Sequence, residues 1–187
     1  MSSQNKIFKI DEDGFLTHVK KIDSPNYDSR PLNQTISLII IHSISLPPNK
    51  FGNSHIEDFF TNKLEINQHP YFKKIKHLKV SSHFLIKRKG ELIQFVSCLK
   101  RAWHAGESSW KNVNNCNNFS IGIELEGSDI MKYEDIQYKV LIKLLKSLRL
   151  KYPITDVVGH SDVSPGRKAD PGNFFDWKII NMENFNV

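Results

Sequence analysis

Ser37-Leu-Ile-Ile-Ile-His42 is a β-branched run bounded by polar residues, the pattern of a strand buried on both faces. Such a strand lies inside a sheet covered by helices. Its C-terminal end, where open α/β sheets place their sites, delivers His42. Pro47-Pro48 stops it. Downstream, Phe119-Ser-Ile-Gly-Ile-Glu-Leu-Glu-Gly127 alternates: Ile121, Ile123 and Leu125 face one side, Gly122, Glu124 and Glu126 the other. Two carboxylates therefore share one strand face.

Working outward, Val80–Ile86 and Glu91–Val96 predict a hairpin joined by the tight basic turn Lys87-Arg-Lys-Gly90. Thr155-Asp-Val-Val-Gly159 predicts a short last strand. From Glu134 to Lys151, Ile136, Val140, Leu141, Leu144, Leu145 and Leu148 recur at helical spacing with Lys opposite, and Pro153 ends the helix. His55–Phe60 predicts one or two helical turns within a long loop, Pro47–Lys79, that also holds His69-Pro-Tyr-Phe72. Trp103-His-Ala-Gly106 opens an exposed loop running to Asn118, and Phe174-Phe-Asp-Trp177 begins a closing helical segment. Irregular alternation of strands and helices, with one hairpin, predicts an α/β (α+β) fold with a central mixed sheet flanked by helices.

The 187 residues suit a single domain, 1–187, with an N-terminal arm over about 1–36 in which Ser24-Pro-Asn-Tyr-Asp-Ser-Arg-Pro31 is rich in turn formers. Apolar stretches are strand-sized, far short of the ~18 residues that span a bilayer, so no membrane partner is expected. The first residues lack the apolar core of a secretory signal, which points to the cytoplasm. Cys98 and Cys116 lack metal-motif spacing and read as reduced and structural. The net charge of +6 favours anionic partners, yet Lys is scattered along the chain and no nucleic-acid motif appears. A carboxylate-rich small ligand fits that charge, and nucleic acid is not expected.

Within Val158–Gly172, His160 follows an apolar run, Asp170 precedes Pro171-Gly172, and Lys168 sits beside them. By itself this reads as a polar surface loop, and His-x9-Asp with a nearby Lys is a weak signal of a metal site. Joined with His42, it gives two imidazoles and one carboxylate with a fourth position left for water, the shell of a catalytic Zn²⁺. Glu124 would then take and pass on the proton of the attacking water, and Lys168 would stabilise an oxyanion by its charge. With eight histidines in the chain, other triplets remain open on spacing alone.

The same residues carry a resemblance. The chain resembles the zinc-dependent N-acetylmuramoyl-L-alanine amidases, most closely the branch that acts on 1,6-anhydro-muramyl peptides in the cytoplasm. The carriers are Ser24–Pro31, Ile41-His-Ser-Ile-Ser-Leu-Pro-Pro48, His69-Pro-Tyr-Phe72, Val80-Ser-Ser-His83, Arg101-Ala-Trp-His-Ala-Gly106, Ser120–Gly127 and Gly159-His through Arg-Lys-Ala-Asp-Pro-Gly172. The resemblance implies an amidase type 2, peptidoglycan-recognition-like fold, one zinc ion per chain on His42, His160 and Asp170, Glu124 as general acid/base and Lys168 as oxyanion stabiliser. It implies cleavage of the amide between (1,6-anhydro-)N-acetylmuramic acid and L-alanine in released muropeptides, by a monomer, in peptidoglycan recycling. Trp103, His104 and the Pro47–Lys79 loop would shape the groove. His83 reads equally as a core histidine or as a functional neighbour of the site.

Three positions depart from the family pattern. Ser82 stands where phage and animal relatives carry Tyr, which leaves proton handling to Glu124. Lys79 and Asn115 stand where the recycling enzymes commonly have Arg, so the planar bidentate fork for a stem-peptide carboxylate is lost. Two other readings stay open here: an amidase acting on intact peptidoglycan, and a non-catalytic peptidoglycan-binding module.

Overall fold

The computed structural model describes residues 7–181. In chain order its elements are β1 (Lys20–Lys21), β2 (Tyr27–Ser29), β3 (Leu38–Ile44), α1 (His55–Phe60), α2 (Pro70–Ile75), β4 (Phe84–Ile86), β5 (Leu92–Gln94), β6 (Lys100–Ala102), β7 (Ser109–Trp110), β8 (Val113–Asn114), β9 (Ser120–Glu126), α3 (Asp135–Lys151), β10 (Asp156–Gly159), α4 (His160–Val163) and α5 (Trp177–Asn181). The main sheet has the order β1-β5-β4-β9-β3-β10. Strands β4, β9, β3 and β10 run parallel, β5 is antiparallel to β4, and β1 is parallel to β5. The expected mixed sheet between helices is therefore present. Of the arm expected over 1–36, residues 1–6 lie outside the described residues.

Apolar residues on both faces of β3 explain its place near the middle. Ile39 and Ile41 join Ile121, Ile123 and Leu125 of β9 under α3, where Leu141, Leu144, Leu145 and Leu148 are fully buried. Truncating a leucine so placed costs about 2–5 kcal/mol. Leu38 and Ile40 face the other way, into a cluster with Ala105, Phe119, Val158 and Val163. Beside it Leu85 and Ile93 pack on α1 and α2 through Ile56, Phe60 and Phe72. One face of the sheet is thus sealed by α3. The opposite face keeps its C-terminal end for polar groups.

Register decides which polar groups meet there. His42 pairs with Glu124 across β3 and β9, and Gly159 of β10 pairs with Ile41, so His160 arrives beside His42. In-register neighbours on parallel strands point to the same face.

Three local expectations are corrected. Ile136 is 43% exposed, off the buried stripe of α3; it lies over the Lys87–Gly90 turn instead. His69-Pro-Tyr-Phe72 is not loop: Pro70 opens α2 at its first helical position, His69 Nδ1 accepts the Tyr71 N–H at 3.1 Å, and Phe72 and Ile75 are buried one turn apart. Two apolar positions in six residues are too few for a periodic signal. The segment from Trp103 to Asn118 is not simply exposed, since Ala105 and Cys116 are fully buried and β7 pairs with β8. Its small side chains let the backbone lie against the sheet. No helix among the described residues is long and apolar enough to cross a membrane.

Candidate metal centre

Three side chains from two ends of the chain converge at the C-terminal edge of the sheet. His42 Nδ1 lies 3.0 Å from His160 Nδ1 and 3.2 Å from Asp170 Oδ2, and His160 Nδ1 lies 3.1 Å from the same oxygen. His42 comes from β3. His160 opens α4 directly after β10, and Asp170 is folded back onto it by the Ser161 N–H, which donates to the Asp170 carbonyl at 2.9 Å. Tyr133 pins the far side of the loop by donating to the Pro171 carbonyl at 2.8 Å. Gly159 is required at the entry, because a Cβ there would meet Pro171 Cδ at 2.8 Å.

The donor chemistry fits a small cation. His160 Nε2 faces the Ala105 carbonyl at 3.0 Å, an acceptor only, so that nitrogen carries the proton and Nδ1 presents a lone pair. The lone pair faces a carboxylate oxygen and a second imidazole nitrogen. Burial lowers the pKa of His42 to about 4, which keeps its ring neutral at ordinary pH. For Asp170 burial pushes the pKa up, but the imidazoles of His160 and His42 outweigh it and hold the carboxyl below its usual range. Two imidazole nitrogens and one carboxylate oxygen form a triangle with edges of 3.0–3.2 Å. Tetrahedral zinc with nitrogen and oxygen ligands at about 2.0–2.2 Å needs edges of about 3.3–3.6 Å, so a small adjustment admits the ion. Among the described residues, His42, His160 and Asp170 are the one such cluster of His, Cys, Asp or Glu.

Glu124 and Lys168 open into the same cavity, about 280 Å³ in volume, as the three converging groups. Glu124 is 7% exposed and its Oε2 has no hydrogen-bond partner. Burial, then the charge of Asp170, raise its pKa well above the ordinary carboxylate value, with Lys168 opposing. Lys168 itself is exposed. A desolvated carboxylate beside a cation in a cleft is the environment that proton-transfer groups occupy.

The remaining candidates fall in several places. His104 lines the same cavity and abuts His42. His83 is fully buried outside the lining: its Nδ1 accepts the Gly122 N–H at 3.0 Å, and its Nε2 faces the Lys100 carbonyl at 3.0 Å and Arg30 at 3.2 Å. With burial as the main cause, its pKa falls to about 3. Trp103 also lies outside the cavity lining. Lys79 borders a small neighbouring pocket with Phe59 and Leu78, both of which also line the main cavity. Asn115 lines a separate cleft of about 510 Å³ with Glu107, Ser164 and Arg167. The structure therefore gathers His42, His160, Asp170, Glu124, Lys168 and His104 at one place, with Lys79 at an adjoining pocket and Asn115 in a separate cleft.

Two arginines that spacing did not single out brace this region. Arg30, half-buried, donates to the carbonyls of Cys98, Asn117, Asn118 and Ser120 and so ties the arm to the start of β9. Arg167 donates to the Ala105 carbonyl at 2.6 Å and to Ser164 Oγ at 2.7 Å. Either could be found in sequence only as a cation inside a turn-rich stretch.

Residues 32–173 match the N-acetylmuramoyl-L-alanine amidase family. The chain is 49% identical over 170 residues to the 1,6-anhydro-N-acetylmuramyl-L-alanine amidase AmpD of Haemophilus influenzae, covering 89% of this chain and 92% of the relative. It is 47% identical over 168 residues to AmpD of Citrobacter freundii, covering 89% and 90%. A crystal structure of a selenomethionine AmpD derivative superposes with a TM-score of 0.90 at 46% identity, covering 92% of this chain and 97% of that one.

Proposed function

The chain belongs to the N-acetylmuramoyl-L-alanine amidase family, and we propose that it is a cytoplasmic zinc hydrolase of released muropeptides. The bond cut is the amide between the lactyl carbonyl of (1,6-anhydro-)N-acetylmuramic acid and the L-alanine nitrogen of the stem peptide. The observation that carries this reading is the triangle of His42, His160 and Asp170 beside an unpartnered, buried Glu124 in one cavity.

His42 Nδ1, His160 Nδ1 and an Asp170 oxygen would hold the zinc. When bound, the ion supplies Lewis acidity, polarising a carbonyl and making water nucleophilic at neutral pH. Glu124, ionised, takes a proton from the attacking water. Its raised pKa makes the carboxylate a better base for that proton and keeps the carboxyl protonated until it hands the proton to the departing L-alanine nitrogen, without which the C–N bond cannot break at neutral pH. Lys168, across the cavity, places its ammonium where charge grows on the former carbonyl oxygen. The apolar wall formed by Phe59, Phe60, Leu46 and Ile75 limits bulk water around these groups.

The test is incubation of zinc-loaded protein with anhydro-muropeptide and, separately, with intact sacculi, beside a chelated control. Free peptide should appear from the muropeptide and vanish on chelation. No release from either substrate would remove the enzymatic reading, and release from sacculi alone would replace the substrate. Lys168→Ala should lower kcat by about 10²–10³-fold with one zinc still bound, as measured by metal analysis; full turnover or lost metal contradicts its role.

Lys79 and Asn115 bear on the stem peptide. Lys79 keeps a point charge without a planar fork, and Asn115 keeps no charge. We expect modest discrimination between muropeptides with and without terminal carboxylates, and larger discrimination in the Lys79→Arg/Asn115→Arg double variant. Ratios of kcat/KM for the two substrates decide this; equal ratios in both proteins would refute it.

A further inference from the structure

If two imidazoles are to share an ion through their inner nitrogens, their outer nitrogens must carry protons and be held. One dipeptide meets both. His42 Nε2 lies 3.0 Å from His104 Nδ1, and His160 Nε2 lies 3.0 Å from the carbonyl of the next residue, Ala105. We propose that His104-Ala105 is a clamp that fixes the tautomers and ring angles of the two zinc-binding histidines, so that His104 is a positioning residue that sets metal affinity and not a contact to substrate. This rests on the zinc reading above.

The geometry assigns the protons. A neutral His42 that offers Nδ1 to a metal carries its proton on Nε2, and His104 Nδ1 is the acceptor in reach. His104 must then carry its own proton on Nε2, which points at Ser120 Oγ at 3.3 Å. Both ring nitrogens of His104 are thereby used inside the protein, and neither is left for a ligand. Its ring stands at 87° to that of His42, with centroids 5.1 Å apart.

The clamp is itself held. Asn117 Oδ1 accepts the Ala105 N–H at 2.9 Å and the His104 N–H at 3.3 Å, so one side chain seats both residues. The floor is Gly122 on β9: a Cβ there would meet His104 Cγ at 2.5 Å, so only glycine lets the imidazole lie against the sheet next to His42. Arg167 gives the Ala105 carbonyl a second donor at 2.6 Å, filling its other lone pair.

The readout is zinc affinity of the full chain, by competition with a chromophoric chelator after metal stripping. His104→Leu, checked for folding by circular dichroism, should weaken zinc about 10–100-fold. His104→Asn puts an amide oxygen where Nδ1 stood and should recover most of that loss, and Asn117→Ala should weaken zinc in the same direction. A folded His104→Leu protein that binds zinc as tightly as wild type, with only KM raised, would overturn the clamp and return His104 to the groove. Equal loss in His104→Asn and His104→Leu would overturn it too. Wild-type protein that binds no zinc, or His42→Ala that binds it normally, would instead sink the zinc reading on which the clamp depends.

Discussion

Asp170→Ala should fold, fail to bind zinc, and lose essentially all turnover. Asp170 is the one anion in the triangle, and its oxygen sits 3.2 Å from His42 Nδ1 and 3.1 Å from His160 Nδ1. Without it, two imidazoles remain, held 3.0 Å apart with no carboxylate between them to balance a dication. Transition-state charge stabilisation by a metal is worth several kcal/mol and each 1.36 kcal/mol is tenfold in rate, so a loss of about 10³-fold or more is expected. A second readout does not depend on activity. Any ligand that binds only the folded state raises its stability by RT ln(1 + [L]/Kd). Wild-type protein should therefore melt later as zinc is added, while Asp170→Ala should show no such shift. A zinc-dependent rise in the variant, or turnover within tenfold of wild type, would show that Asp170 is not a ligand.

The fold was legible where one residue type repeated at one period. The run before His42 and the stripe of α3 read directly, because burial on both faces or one helical face leaves a long, redundant pattern. The α2 helix did not, since its two buried positions, Phe72 and Ile75, are fewer than a period can be drawn from. At the site, His42, Glu124 and His160 were each legible as polar groups ending or lining a strand. What joined them is register: the pairing of His42 with Glu124 and of Gly159 with Ile41 is a property of three strands at once, and no single stretch carries it. His104 shows the limit more sharply. In sequence it is a histidine next to a tryptophan in a loop, and only the bare Gly122 beneath it reveals that it lies on the sheet. Arg30 was hidden for a related reason, since its acceptors are main-chain carbonyls that every residue possesses.

Glu124→Gln should lower kcat by about 10²–10⁴-fold while keeping zinc, and should also stabilise the metal-free protein above acidic pH. The two effects have one cause. Glu124 sits between a strand interior and the cavity with Oε2 unpartnered, so burial, helped by the charge of Asp170, pushes its pKa well above 4.5 despite Lys168. A carboxyl whose pKa is higher folded than unfolded costs the fold nothing below the unfolded value. Stability then falls as pH rises from there through the folded pKa, because the unfolded chain ionises freely and the folded one does not. Glutamine keeps the shape and cannot ionise. The melting temperature of metal-free Glu124→Gln should therefore match wild type near pH 4 and exceed it at pH 8, by about 2–4 °C for each kcal/mol relieved. Thermal unfolding of both proteins across that range, after metal removal, measures the gap. A gap that stays constant with pH would mean that Glu124 ionises as easily in the folded chain as in water, leaving no raised pKa to let it take up and hold the water proton near neutral pH. A gap that opens with pH, together with lost turnover and retained zinc, would mean that the fold carries this desolvated carboxylate at the expense of its own stability, for the proton it moves.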